Sequence, residues 1–178
     1  DEGRAQDDLA KAKQGMFQKR EDFHAIHGES WKPMLEKNAP SRRTSCIYGW
    51  YGRAVNITDG VYTYFRSPVN EENQPLFRHF LTPGKFHLHD LCGDWFYQDA
   101  EFGRFLPYTN FPVIRSRAEI PRLKDYQETK LFNIVEDYQQ LHDLSGGVEE
   151  GKYKRILEEK MTETDAPECQ YERLGLKN

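Results

Sequence analysis

Hydrophobic and polar positions change rhythm along the chain, and each rhythm predicts a different element. From Cys46 to Arg66 the large side chains are mostly β-branched or aromatic: Ile47, Tyr48, Trp50, Tyr51, Val55, Ile57, Val61, Tyr62, Tyr64 and Phe65. That composition suits extended chain on a half-buried sheet. It predicts a strand over 46–51, its continuation over 54–58 past a kink at Gly52, and a return strand over 61–66. Asp59-Gly60 divides the last two, and both residues tolerate the positive φ that a two-residue hairpin turn demands. The runs 76–81, 113–117 and 131–135 predict further short strands, the first stopped by Pro83-Gly84. No period holds between Lys85 and Asn110, where Gly93, Gly103 and Pro107 predict an irregular, aromatic-rich excursion.

After Gly146-Gly147 the rhythm becomes helical. Tyr153, Ile156, Leu157 and Met161 fall on one face, and Glu149, Glu150, Glu158, Glu159 and Glu163 lie mostly on the other. Pro167 ends this helix, because proline has no N–H and restricts the residue before it. The expected fold is therefore α+β: a small antiparallel sheet of four or five strands packed against a C-terminal amphipathic helix. Residues 1–27 read as a separate polar leader, helical or mobile, since Leu9, Met16 and Phe17 are its main large apolar residues. Residues 28–178 read as the folded unit, its first dozen residues a connector.

Composition narrows the function classes. The 178 residues carry a net charge of −4, which argues against a nucleic-acid module with its concentrated basic surface. No apolar run approaches the ~18 residues of a membrane span, so no membrane partner is expected. Eleven Phe, ten Tyr and three Trp supply much of the apolar volume, and Tyr and Trp need a polar neighbour at one end, so the core should be shallow and sheet-like. Cys46, Cys92 and Cys169 are odd in number and widely spaced, with no Cys-x-x-Cys pair. This favours reduced thiols, and a cytoplasmic chain over a secreted one.

Few residues suggest chemistry of their own. His87 and His89 would share one face of a strand, as two imidazoles on one metal require, with Asp90 beside them and Asp94 or Asp99 as a third ligand folding back. A small metal-dependent hydrolase centred on His87, His89 and Asp90 is one reading, and two surface histidines in a loop is the plainer one. Arg53, Arg66, Lys85 and Arg115 or Arg117 would form a basic rim near the hairpin, suited to anionic oxygens. Solvated strand-edge charges are the plainer reading. Asn56, which begins an Asn-Ile-Thr sequon, is expected to bond backbone within the hairpin.

Four segments together resemble the small C-terminal subdomain of bacterial sulfatases, in the alkaline phosphatase superfamily. The run from Gly49 to Gly60 (Gly-Trp-Tyr-Gly-Arg-Ala-Val-Asn-Ile-Thr-Asp-Gly) resembles that subdomain's first hairpin. Gly28-Glu29-Ser30-Trp31-Lys32-Pro33-Met34-Leu35 is similar to the Gly-x-Ser-Leu-x-Pro-Leu-Leu segment before it, with Trp31 in place of Leu. Residues 130–140 resemble the family's Leu-Tyr-Asp-Leu-x-x-Asp-Pro-x-Gln run, with Asn133 and Tyr138 departing from it. Residues 165–176, from Asp165-Ala166-Pro167 to Arg173-Leu174-Gly175-Leu176, look like the closing segment almost residue for residue.

The resemblance implies a parent hydrolase of sulfate esters. Its nucleophile would be the hydrated aldehyde of a formylglycine made from Cys or Ser in Cys-x-Pro-x-Arg, assisted by a calcium or magnesium ion. In the family these lie upstream of the matched segments. No catalytic residue or metal ligand is therefore assigned in this chain, and Arg53 and Lys85, where many relatives carry His, become the substrate-facing candidates. Asp7-Asp8 and Asn38-Ala39-Pro40-Ser41-Arg42 resemble the metal pair and the formylglycine motif only superficially, because Asn38 has no thiol or hydroxyl to oxidise. The implied role is to complete the substrate cleft and stabilise the catalytic domain. That domain is the expected partner, or self-association in its place, with an anionic sulfated small molecule or glycan as ligand. The alternative is a stand-alone, non-catalytic binding module derived from the same subdomain. In either case an aromatic patch should be exposed.

Overall fold

The computed structural model describes residues 30–41, 43–81, 99–106, 111–120 and 128–176. Its elements, within the compact unit Trp31–Asn178, are α1 (Lys32–Lys37), β1 (Cys46–Gly49), β2 (Val55–Thr58), β3 (Tyr62–Arg66), β4 (Phe77–Phe80), β5 (Glu101–Gly103), β6 (Val113–Arg117), β7 (Lys130–Asn133), α2 (Glu150–Glu163) and α3 (Glu168–Leu174). The α+β class holds, as do the small antiparallel sheet and the C-terminal helix against it. The leader, Lys85 and the His87-x-His89-Asp90 cluster lie outside the described residues.

The strands divide between two sheets. The larger has the order β1-β2-β3-β7 and is antiparallel throughout. The smaller has the order β4-β6-β5. Two expectations about the strands are corrected, and a third, about the hairpin turn, follows below. β1 and β2 are not one kinked strand but antiparallel partners, with Gly49 opposite Val55, so Gly52 sits in a tight turn between them. The excursion over 85–110 contains a strand, β5, too short to show a period. The short helices α1 and α3 were also not expected.

The β2–β3 hairpin shows how local chemistry fixes register. Gly60, at φ +87°, takes the first loop position, and the loop residues are Gly60-Val61 rather than Asp59-Gly60. Asp59 acts through its side chain: one carboxylate oxygen accepts the N–H groups of Val61 (2.9 Å) and Tyr62 (2.8 Å). The other accepts the Tyr153 hydroxyl at 2.7 Å, tying the hairpin tip to α2.

Alternation places Ile57, Tyr64 and Leu131 on the face that meets α2. From α2 come Tyr153, Leu157 and Met161, and from α3 and its exit come Tyr171, Leu174 and Leu176. Each such side chain, fully buried, contributes roughly 1.5–3 kcal/mol. Polar bonds mark the sheet–helix seam. The Tyr64 hydroxyl donates to Glu150 Oε1 at 2.9 Å, and Glu150 Oε2 accepts the Gly146 N–H, fastening the start of α2. α3 begins after Pro167 and closes in a Schellman pair of bonds, Leu176 N–H to the Tyr171 carbonyl and Gly175 N–H to that of Glu172. No described helix is long and apolar enough to cross a membrane.

Candidate functional site

Arg53 is the one sequence-derived candidate for substrate contact that lies within the described residues, and it sits at a corner. Trp50, Tyr51, Gly52 and Arg53 form the turn from β1 to β2, closed by an Arg53 N–H to Trp50 carbonyl bond of 3.0 Å. Gly52 has φ +72°, as the third residue of a type II turn requires. A Cβ there would lie 2.7 Å from Ile120 Cδ1 and 3.2 Å from Leu76 Cδ2, so the turn lies flush on the segments flanking the second sheet.

A buried polar network holds this corner from beneath. Asn73 is fully buried and donates Nδ2–H to the carbonyls of Gly52 (2.8 Å) and Ile120 (2.9 Å). Its Oδ1 accepts from Arg173 Nη1 at 2.8 Å. Arg173, only 1% exposed, sends both Nη groups to the Arg53 carbonyl at 3.2 Å and Nε to Gln170 Oε1 at 3.0 Å. Burial lowers its pKa to about 10, which leaves it charged at neutral pH. Neutral oxygens therefore solvate a buried guanidinium whose planar fork suits a shared carbonyl.

The outer surface of the corner is aromatic. Trp50 is 84% exposed, and Tyr48 and Tyr51 beside it are also exposed. Desolvation around the Tyr51 hydroxyl raises its pKa to about 12 against the opposing pull of Arg78, to which it is hydrogen-bonded. The sheet face carrying Tyr48 continues edge-to-face through Phe65 to Phe132. Asn56 belongs to this face, buried, and among the described residues its Oδ1 has no hydrogen-bond partner.

The expected basic rim does not assemble as one group. Arg66 is committed inward: Nε donates to the Leu174 carbonyl at 2.8 Å, Nη2 to that of Gly175 at 3.3 Å, and Nη1 lies 3.9 Å from Glu150. Arg115 belongs to the other sheet, stacked 4.8 Å from Phe77 and 3.8 Å from Phe105 and paired with Glu101 at 2.6 Å. Arg117 is exposed at the end of β6. Asp99, considered as a metal ligand, instead accepts the Ser116 hydroxyl and the Arg117 N–H. Asn38, in the superficial formylglycine motif, is the left-handed cap of α1. Among the described residues no three His, Cys, Asp or Glu side chains converge as metal ligands would.

Asn73 and Arg173 are the site residues that sequence reasoning missed. Arg173 lies inside a segment singled out for its resemblance, yet nothing in its spacing marks a buried arginine. Asn73 reads as an ordinary polar turn residue. No family model, no curated protein and no solved structure matches the chain.

Proposed function

We propose that residues 28–178 form the C-terminal subdomain of a sulfatase-family hydrolase of sulfate esters. In that role they complete the substrate cleft and brace the catalytic domain, and the sulfate-cleaving groups belong to the upstream part of such an enzyme. The observation that carries this reading is that three of the separate segments resembling the family meet in space. Ile57 of the Gly49–Gly60 run, Leu131 of the 130–140 run, and Tyr171, Leu174 and Leu176 of the closing segment share one buried core, and Arg173 donates to the Arg53 carbonyl. Chance likenesses scattered along a chain have no reason to form one core.

The corner supports the same reading. It joins the half-buried Arg53 in one turn with an exposed indole and the exposed rings of Tyr48 and Tyr51, a combination suited to a sulfate ester on a ring or to the wall of a neighbouring domain. The test is hydrolysis of 4-nitrophenyl sulfate by the product of the natural reading frame that contains this chain. Sulfate release, with KM raised in Arg53→Ala and kcat little changed, is the expected result. Failure to release sulfate from any ester would overturn it and leave the non-catalytic binding module.

A further inference from the structure

A fully buried guanidinium is an expensive way to fill space, since leucine or methionine would pack there without desolvating a charge. Arg173 is therefore best explained by what its donors hold. Both Nη groups end on the carbonyl of Arg53, and its partner Asn73 ends on the carbonyl of Gly52, so two consecutive carbonyls of the turn are turned inward and fixed. The same Asn73 amide holds the Ile120 carbonyl, and Arg173 returns its own carbonyl to the Val69 N–H at 3.0 Å. Four chain segments, around 52, 70, 120 and 173, are thereby locked at one point. The feature held by the lock is the turn that carries Arg53 and the exposed Trp50.

We propose that Arg173 and Asn73 are positioning residues, a buried clamp that presets the Trp50–Arg53 corner so that Arg53 meets its anionic ligand without prior ordering. Preset geometry avoids the entropy loss that a mobile loop and a long side chain suffer on binding. The inference rests on the reading above for what Arg53 meets, while the clamp itself is read from geometry alone.

Two variants separate clamp from bulk stability. Arg173→Lys keeps the charge but loses the fork, and Asn73→Gly keeps the left-handed backbone at φ +55° while removing all three side-chain bonds, to Gly52, Ile120 and Arg173. Hydrogen exchange of the full chain, read on peptides covering 50–54, should accelerate about ten-fold or more in each, with β2–β3 peptides changed less than about three-fold. Equal acceleration in both regions, or none at the corner, would overturn the clamp. A second readout is KM for 4-nitrophenyl sulfate in the natural product, which Asn73→Gly should raise as Arg53→Ala does, at unchanged kcat. A loosened corner with KM unchanged in Asn73→Gly overturns positioning and leaves the clamp structural. A loosened corner in a product that cleaves no sulfate ester refutes the sulfatase reading and, with it, the assigned ligand, while the clamp stands.

Discussion

Replacing Gly52 by alanine tests the geometry of the corner most sharply, because the structure separates two costs. The first is conformational: an L-residue at φ +72° costs roughly 1–2 kcal/mol. The second is steric, since the new Cβ would stand 2.7 Å from Ile120 Cδ1 and 3.2 Å from Leu76 Cδ2. Leu76 is buried and Ile120 half-buried, so neither withdraws freely, and overpacking of this kind costs about 1–3 kcal/mol. Gly52→Ala should therefore destabilise by about 2–5 kcal/mol. Gly60→Ala is the control, at φ +87° with nothing within 4 Å of its Cβ. It should show the conformational cost alone, about 1–2 kcal/mol.

A double-mutant cycle isolates the clash. Ile120→Val deletes Cδ1 and alone should cost about 0.5–1.5 kcal/mol. In the Gly52→Ala background the same deletion relieves the closest contact, so it should be neutral or stabilising, a coupling of about 1 kcal/mol or more. Urea unfolding followed by far-ultraviolet circular dichroism gives the four stabilities. An Ile120→Val cost identical in both backgrounds would refute the close approach of the turn to Ile120.

Other outcomes follow from the same structure. Leu157→Ala, at a fully buried position of α2, should lose about 2–5 kcal/mol in the urea experiment. Burial alone would raise the pKa of Asp59, but the bonds donated by Tyr62, Tyr153 and Val61 outweigh it and hold the carboxyl below its ordinary 3.8. Its contribution is thus fully present above that ordinary value and is lost as pH falls through the lower folded-state pKa. Asp59→Asn should be less stable than the parent at pH 7, with a gap that narrows below about pH 4, and a gap constant with pH would count against the carboxylate's role. Trp50→Ala should shift stability by no more than about 0.5 kcal/mol, because the indole is 84% exposed, yet weaken whatever association the corner makes.

What was legible in the sequence follows from how local each signal is. The α2 stripe could be read directly, because Tyr153, Leu157 and Met161 repeat at helical spacing and all three are buried. β6 could be read to the residue, Val113–Arg117. The turn at Gly52 was misread as a kink because apolar runs on both sides look like one strand, and only the pairing of Gly49 with Val55 reveals a reversal. That β4 and β6 form their own sheet with β5 rests on partners distant in sequence, which periodicity does not encode. α3 was in principle visible from Pro167 at its start and Gly175 at its stop, but its 7 residues are too few to show a period. The site was half legible. Arg53 was named from its place in the hairpin segment, whereas Asn73 and Arg173 act on it from 20 and 120 residues away in the chain.

As proposed above, this chain would serve as the C-terminal subdomain of a sulfatase-family enzyme. The natural gene, read in frame upstream of the Asp1 codon, tests that role most directly. The account predicts an open frame encoding Cys-x-Pro-x-Arg or Ser-x-Pro-x-Arg together with an Asp-Asp pair. A start codon at or near Asp1 with no such frame before it would contradict the account.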